Sequence, residues 1–242
     1  MKYKFLVIIV LLVLFNFGLK SLSEDNYRVF TPLTYGYKED NSGCILFILD
    51  YSNSMNERVK GVKKSDILKY AFYKISNQIS KTEKAGLRVY GHKRGLLTYQ
   101  ACRASENLVE IRQNSCSDIA KFTERLRPSG MTPITYSLKQ AVMKDFNNCT
   151  GLKHIILITD GGENCDESPC EYAIKLVKDN NDIKIDVIAV DIDNKEDMSQ
   201  LECVAYVTNG KIFRANSVTE VEAEIINALN GDKEVEGRII SK

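Results

Sequence analysis

No sign of charge dominates this chain: Lys and Arg total 33 and Asp and Glu total 32 in 242 residues. That balance gives no electrostatic reason to expect a nucleic acid partner, and it argues against a polybasic protein held on a membrane surface. Histidine is scarce, at two residues. His154 begins an apolar run and reads as structural, while His92 follows another run and reads as a loop residue beside the edge where ligands are expected. No Gly-x-Ser-x-Gly elbow and no Gly-x-x-x-x-Gly-Lys-Ser/Thr loop occurs, which removes the commonest hydrolase and nucleotide signatures. The chain also lacks internal repeats and low-complexity tracts. Its longest apolar run, Phe5 to Phe17, falls short of the roughly 20 residues that a membrane span needs.

That run follows Lys2 and Lys4 and precedes the small residues Ser21 and Ser23, the pattern of a secretory signal. The reading is a signal peptide over 1–23, a polar linker over 24–42, one domain over 43–230 and a charged tail over 231–242. The protein is expected to be exported, periplasmic or secreted, and to meet a membrane only if the signal segment stays uncleaved. No cysteine directly follows the apolar run, which speaks against a lipid anchor. Seven cysteines suit a compartment where disulfides persist, and the odd count leaves at least one thiol outside intrachain pairs.

From residue 43 onward, apolar runs alternate with segments of helical period. Cys44–Leu49, Leu87–Tyr90, Leu108–Ile111, Ile155–Ile158, Ile185–Val190 and Lys211–Arg214 read as strands. Asp66–Ser80, Ile119–Leu126, Ile134–Phe146, Cys170–Lys178, 196–207 and Val218–Leu229 read as helices. Such alternation predicts an α/β fold whose mostly parallel sheet is covered by helices on both faces. The first strand ends at Asp50 and the Ile155 strand at Thr159-Asp160-Gly161. Both acids therefore fall at the carboxyl edge of the sheet, where open α/β folds place their ligands.

Asp50-Tyr51-Ser52-Asn53-Ser54 supplies a carboxylate and two hydroxyls at alternate positions. Three hard oxygens facing one way suit Mg²⁺, Mn²⁺ or Ca²⁺ rather than zinc. The same residues also suit a solvated turn. An aspartate-dependent phosphatase would need a second Asp two residues after the first, and Ser52 stands there. Two distant features add weight to a metal site: Thr132, just before Pro133 at a helix start, and Asp160 at its strand end.

With these five residues in this order, the chain resembles the von Willebrand factor A family over roughly residues 43 to 229. The metal-ion-dependent adhesion site of that family is built from Asp-x-Ser-x-Ser, a distant Thr and a distant Asp. Tyr90-Gly91-His92 and the Cys165-x4-Cys170 spacing look closest to exported bacterial members. The resemblance implies a three-layer fold with a central first strand, about six strands and one antiparallel edge. It implies that Ser52 and Ser54 bind Mg²⁺ or Mn²⁺ directly, that Thr132 binds when a ligand is engaged, and that Asp50 and Asp160 act through water. A partner's Asp or Glu then completes the shell. Many members carry Gly where this chain has Asn53, and Asn is the best non-glycine substitute if the backbone there is left-handed. Glu163 reads as a solvated loop acid.

The implied function is metal-dependent protein binding, in adhesion or assembly, without catalysis. A structural or regulatory subunit of an envelope complex would use the same site, and a metal-dependent hydrolase is the remaining alternative. Laid on the family fold, Cys165 and Cys170 form the first-choice disulfide, beside Asp160. Cys44 and Cys149, both near the amino edge, form the second. Cys203, in mid-helix, reads as a buried thiol.

Overall fold

A computed structural model describes residues 43–76 and 84–230. The proposed signal, linker and tail, and the end of the helix expected to reach Ser80, lie outside the described residues. Within them, eight strands and seven α-helices follow one another. They are β1 (Cys44–Asp50), the hairpin β2 (Arg58–Val59) and β3 (Val62–Lys63), α1 (Lys64–Ile75), β4 (Lys84–Tyr90), α2 (Thr98–Ala101) and β5 (Ser105–Arg112). Then come α3 (Cys116–Arg125), α4 (Ile134–Gln140), β6 (Lys153–Thr159), α5 (Pro169–Lys178), β7 (Ile183–Val190), α6 (Lys195–Val207), β8 (Ile212–Ala215) and α7 (Val218–Asn230).

Six strands form one sheet in the order β5-β4-β1-β6-β7-β8. All neighbours run parallel except β4 and β5, which are antiparallel. β1 is unbroken in its apolar character because it is central, and all seven of its residues are buried. Its side chains divide between two layers. Ile45, Phe47 and Leu49 pack with Ile67, Leu68, Phe72 and Ile75 of α1, Ile119 of α3 and Val221 and Ile225 of α7. Phe47 and Phe72 meet edge to face, with ring centroids 5.1 Å apart. Leu46 and Ile48 point the other way, into a layer closed by Ile134 and Leu138 of α4, Ala173 and Leu176 of α5, and Leu201 and Val204 of α6. The helix after β1 thus covers one face and the helix after β6 covers the other. The two adjacent strands diverge into opposite layers at their carboxyl ends, and this is the switch point at which α/β sheets open a crevice. Among the described residues no helix is long and apolar enough to cross a membrane.

Three disulfides brace this frame. Cys44 is bonded to Cys149, Cys102 to Cys165 and Cys170 to Cys203. The expected Cys165–Cys170 bond is therefore wrong, as is the reading of Cys203 as a thiol. Between Cys165 and Cys170 the chain turns through Asp166, which is left-handed at φ 56°. It then enters α5 through the Ser168 cap and Pro169 in the first turn. Cys170 thus joins α5, which packs against α6, where Cys203 sits. Cys165 stays in the loop, beside the Cys102 that ends α2. The seventh cysteine, Cys116, is buried at the start of α3.

One further local detail differs from expectation. The segment read as one helix from Ile134 to Phe146 leaves α-geometry after Gln140 and continues as a π-turn over Ala141–Asp145. There Asp145 receives two hydrogen bonds from the buried Arg88, at 2.6 and 2.7 Å.

Candidate metal centre

β1 delivers Asp50 into the interior with no solvent exposure. Its Oδ1 accepts the backbone N–H of Ser52 at 2.6 Å, and its Oδ2 accepts the Thr159 hydroxyl at 2.8 Å. The first bond closes a turn of the kind that Asp favours, and it swings the chain so that Ser52 and Ser54 face the end of β6. There the Ser52 and Ser54 hydroxyl oxygens lie 3.0 Å apart, and the Ser54 hydroxyl donates to Asp160 Oδ1 at 2.7 Å. Tyr51 points the opposite way, into the core, where its hydroxyl donates to the Thr123 carbonyl at 3.2 Å. Asn53 opens a short 3₁₀ turn over Asn53–Asn56. Asn53 is not among the left-handed residues, so the conformational tolerance expected to justify an Asn there is not needed.

Thr132 enters from a second side. The Gly130–Pro133 segment bridges to Ser52, with the Asn53 N–H donating to the Gly130 carbonyl at 2.9 Å. Thr132 itself is buried, and its N–H donates to Asn164 Oδ1 at 2.7 Å. Among the described residues its hydroxyl makes no hydrogen bond to the other four. Asp50, Ser52, Ser54 and Asp160 are thus one hydrogen-bonded set, and Thr132 adjoins them through its backbone.

Glu163 is not a solvated loop acid. Its two carboxylate oxygens accept the N–H groups of Thr135, at 2.7 Å, and of Cys165, at 3.0 Å. It therefore ties the loop after β6 to the first turn of α4. His92 places Nε2 3.1 Å from Glu106, and burial lowers its pKa despite that partner. His154 places Nε2 2.9 Å from Asp186, away from this edge.

One residue of the centre escaped sequence reasoning. Lys64 is almost wholly buried, and its ammonium lies 3.2 Å from Asp160 Oδ2, 3.2 Å from Glu57 and 3.7 Å from Asp191. Burial alone would lower its pKa, but Asp160 and Glu57 carry it above the ordinary lysine value. A signal was present in the sequence. Lys64 opens α1 and follows Lys63, and a helix N-terminus repels cations unless something compensates.

The carboxylates bear the cost of their burial. Asp50 is raised to about 6, first by burial and then by Asp160, against the opposing bonds from Ser52 and Thr159. Asp160 is also raised, mainly by burial, while Ser54 and Lys64 pull it down. Two buried acids resisting ionisation are a setting in which a cation is stabilising. The oxygens fit a small one: adjacent ligands of an octahedral ion with bonds of 2.0–2.1 Å sit about 3 Å apart, the spacing of the two serine hydroxyls. Hydroxyl and carboxylate oxygens are a donor set for Mg²⁺ or Mn²⁺.

The family model for the von Willebrand factor type A domain matches residues 43–212 of this chain. Two Bacillus subtilis proteins are similar in sequence. The uncharacterized protein YwmD is 30% identical over 190 residues, covering 76% of this chain and 82% of its own length. The uncharacterized protein YwmC is 29% identical over 183 residues, covering 74% and 79%. Among solved structures, the conserved hypothetical protein BatB from Bacteroides thetaiotaomicron superposes with a TM-score of 0.61 at 16% identity, over 80% of this chain and 99% of that one. Proximal thread matrix protein 1 from the mussel byssus, solved with a zinc-occupied MIDAS motif, gives 0.60 at 19% identity, over 79% of this chain and 46% of that one. At such identities the structural likeness speaks for the fold.

Proposed function

The chain belongs to the von Willebrand factor type A domain family, and on that footing we propose that it is an exported protein-binding domain. It holds Mg²⁺ or Mn²⁺ at Asp50, Ser52, Ser54, Thr132 and Asp160 and uses it to grip an Asp or Glu of a partner protein. The observation that carries this reading is the convergence of the Ser52, Ser54 and Asp160 oxygens at 2.7–3.0 Å over a fully buried Asp50.

The residues divide the work by position. Asp50 orients Ser52 through its N–H and is itself held by Thr159. Ser52 and Ser54 offer neutral hydroxyl oxygens, and Asp160 brings negative charge to the same point. Thr132 waits on the facing loop, its backbone fixed by Asn164. A divalent cation bound by these groups supplies an electrophilic position for a carboxylate oxygen, a charge-assisted contact stronger than a surface ion pair. Neither histidine is hydrogen-bonded to Ser52 or Ser54, so the set lacks the serine–histidine pair of a nucleophilic hydrolase. This favours binding over hydrolysis. The six disulfide-bonded cysteines support an extracytoplasmic location.

Calorimetric titration of Mn²⁺ into the protein and into a Ser52→Ala/Ser54→Ala variant tests the centre. Binding is expected in the parent and lost in the variant, and equal binding by both refutes the assignment. Pull-down with and without EDTA tests the use made of it. Capture that survives chelation would instead favour a structural subunit of an envelope complex.

A further inference from the structure

We infer that Lys64 sets the charge of the metal centre through Asp160, leaving the cation-loaded centre one unit positive and matched to a single carboxylate. The inference rests on the metal-binding reading above and deepens it.

Three observations support it. First, Asp160 is shared. Its Oδ1 takes the Ser54 hydroxyl at 2.7 Å while its Oδ2 faces the Lys64 ammonium at 3.2 Å. Any charge that Asp160 lends to a cation is divided with Lys64. Second, the buried charges sum simply. Asp50 and Asp160 are buried and negative, and Lys64 is as buried and positive. Glu57 accepts a hydrogen bond from the Lys64 ammonium at 3.2 Å and Asp191 lies 3.7 Å from it, but their side chains are 69% and 37% exposed, so water weakens their pull on a cation at the serines more than that of the buried aspartates. Two negatives and one positive leave −1, and a divalent cation makes it +1. Without Lys64, the same two aspartates would neutralise the cation fully and leave little pull on an anion. Third, Lys64 stands where a helix end disfavours it. A buried ion pair is a poor stabiliser, because desolvation offsets the attraction. Its placement is better explained by what it does to Asp160. Lys64 therefore trades tightness of cation binding for attraction to a partner's acid.

The test uses Mn²⁺ and acetate as probes on the parent, Lys64→Met, Lys64→Gln and Lys64→Arg. By Coulomb's law across a few ångströms at a partly buried site, loss of the ammonium should tighten Mn²⁺ binding by about tenfold or more. Broadening of the acetate methyl NMR signal by Mn²⁺-loaded protein should fall at matched Mn²⁺ occupancy. Lys64→Arg should restore both values. A merely structural lysine would give weaker Mn²⁺ binding on removal, not tighter. Lys64→Gln keeps a polar, uncharged side chain beside Asp160 and decides the matter if Lys64→Met does not fold. Failure of both to fold in millimolar Mn²⁺ would overturn the inference, as would unchanged or weaker Mn²⁺ affinity. If Ser52→Ala/Ser54→Ala abolishes Mn²⁺ binding while Lys64→Met leaves it unchanged, only the role of Lys64 falls. If the serine variant still binds, the metal centre falls with it.

Discussion

Gly91 is where three segments of the candidate centre meet, and replacing it by alanine gives a stringent test of that geometry. Its φ is +71°, a conformation that costs an L-residue about 1–2 kcal/mol. A Cβ built there would sit 2.5 Å from the Ser52 nitrogen, 2.6 Å from Ser52 Cα and 2.8 Å from the Met131 carbonyl oxygen. All three atoms are backbone, so no side chain can rotate away. The chain must move, and overpacking of this kind adds about 1–3 kcal/mol. Together these give a loss of about 3 kcal/mol, or roughly 6–12 °C in Tm for a domain of this size. The displaced atoms belong to Ser52 and to the residue before Thr132, so Mn²⁺ affinity should fall as well. Gly161 is the control. It follows Asp160 directly, yet nothing lies within 4 Å of a Cβ placed on it, and Gly161→Ala should be nearly neutral. Calorimetric melts of both variants, with and without Mn²⁺, decide the question. A Gly91→Ala protein within about 1 kcal/mol of the parent, or a Gly161→Ala protein as damaged as Gly91→Ala, would refute the reasoning, since the first is far below the expected strain.

Two further outcomes follow from an ion pair away from the centre and from a disulfide beside it. Burial works to raise the pKa of Asp186, but His154, Lys184 and the Lys211 N–H outweigh it, so the value is lowered. A depressed acid stabilises the fold above its unfolded pKa, near 4, and that contribution is lost as pH falls through the lower folded value. Asp186→Asn should therefore cost about 3 kcal/mol at neutral pH and flatten the fall in stability below pH 4; acid melts that parallel the parent's would contradict this. Cys102→Ser/Cys165→Ser opens a loop of 63 residues and should cost about 4 kcal/mol in the chain-entropy model. Scanning calorimetry showing a loss under about 1 kcal/mol would mean that the bond constrains little.

The layered sheet was legible in the sequence because its four central strands are buried on both faces. Runs such as Ile155–Ile158 carry no polar alternation, and Asp50, Asp160 and Asp191 at the ends of β1, β6 and β7 mark the edge. The candidate set was legible because residue type and element boundary agree at Asp50 and Asp160, and the structure brings both into one hydrogen-bonded group with Ser52 and Ser54. The short helix Thr98–Ala101 was not, since four residues hold barely one turn and show no period. Nor was the role of Glu163, whose distant partner Thr135 is placed by tertiary packing. Of the two cysteine pairings expected, the structure bonds Cys44 to Cys149 but not Cys165 to Cys170. Cys165 and Cys170 are close along the chain, but a cap and a proline separate them into different elements. Lys64 broke a local rule at a helix start, and such conflicts tend to fall at functional sites.

The order of the cysteines carries a consequence for how the molecule is made. A chain synthesised from its N-terminus presents Cys44, Cys102, Cys116, Cys149, Cys165, Cys170 and Cys203 in turn. Thiols joined as they appear would give 44 with 102, 116 with 149 and 165 with 170. None of these is a native bond, and two native bonds interleave, since Cys102 lies inside the Cys44–Cys149 span and Cys165 outside it. Correct oxidation thus requires either that the sheet assemble before the thiols react or that early bonds be exchanged. Where early bonds form first, maturation of this domain should need a disulfide isomerase in addition to the oxidant that converts the thiols.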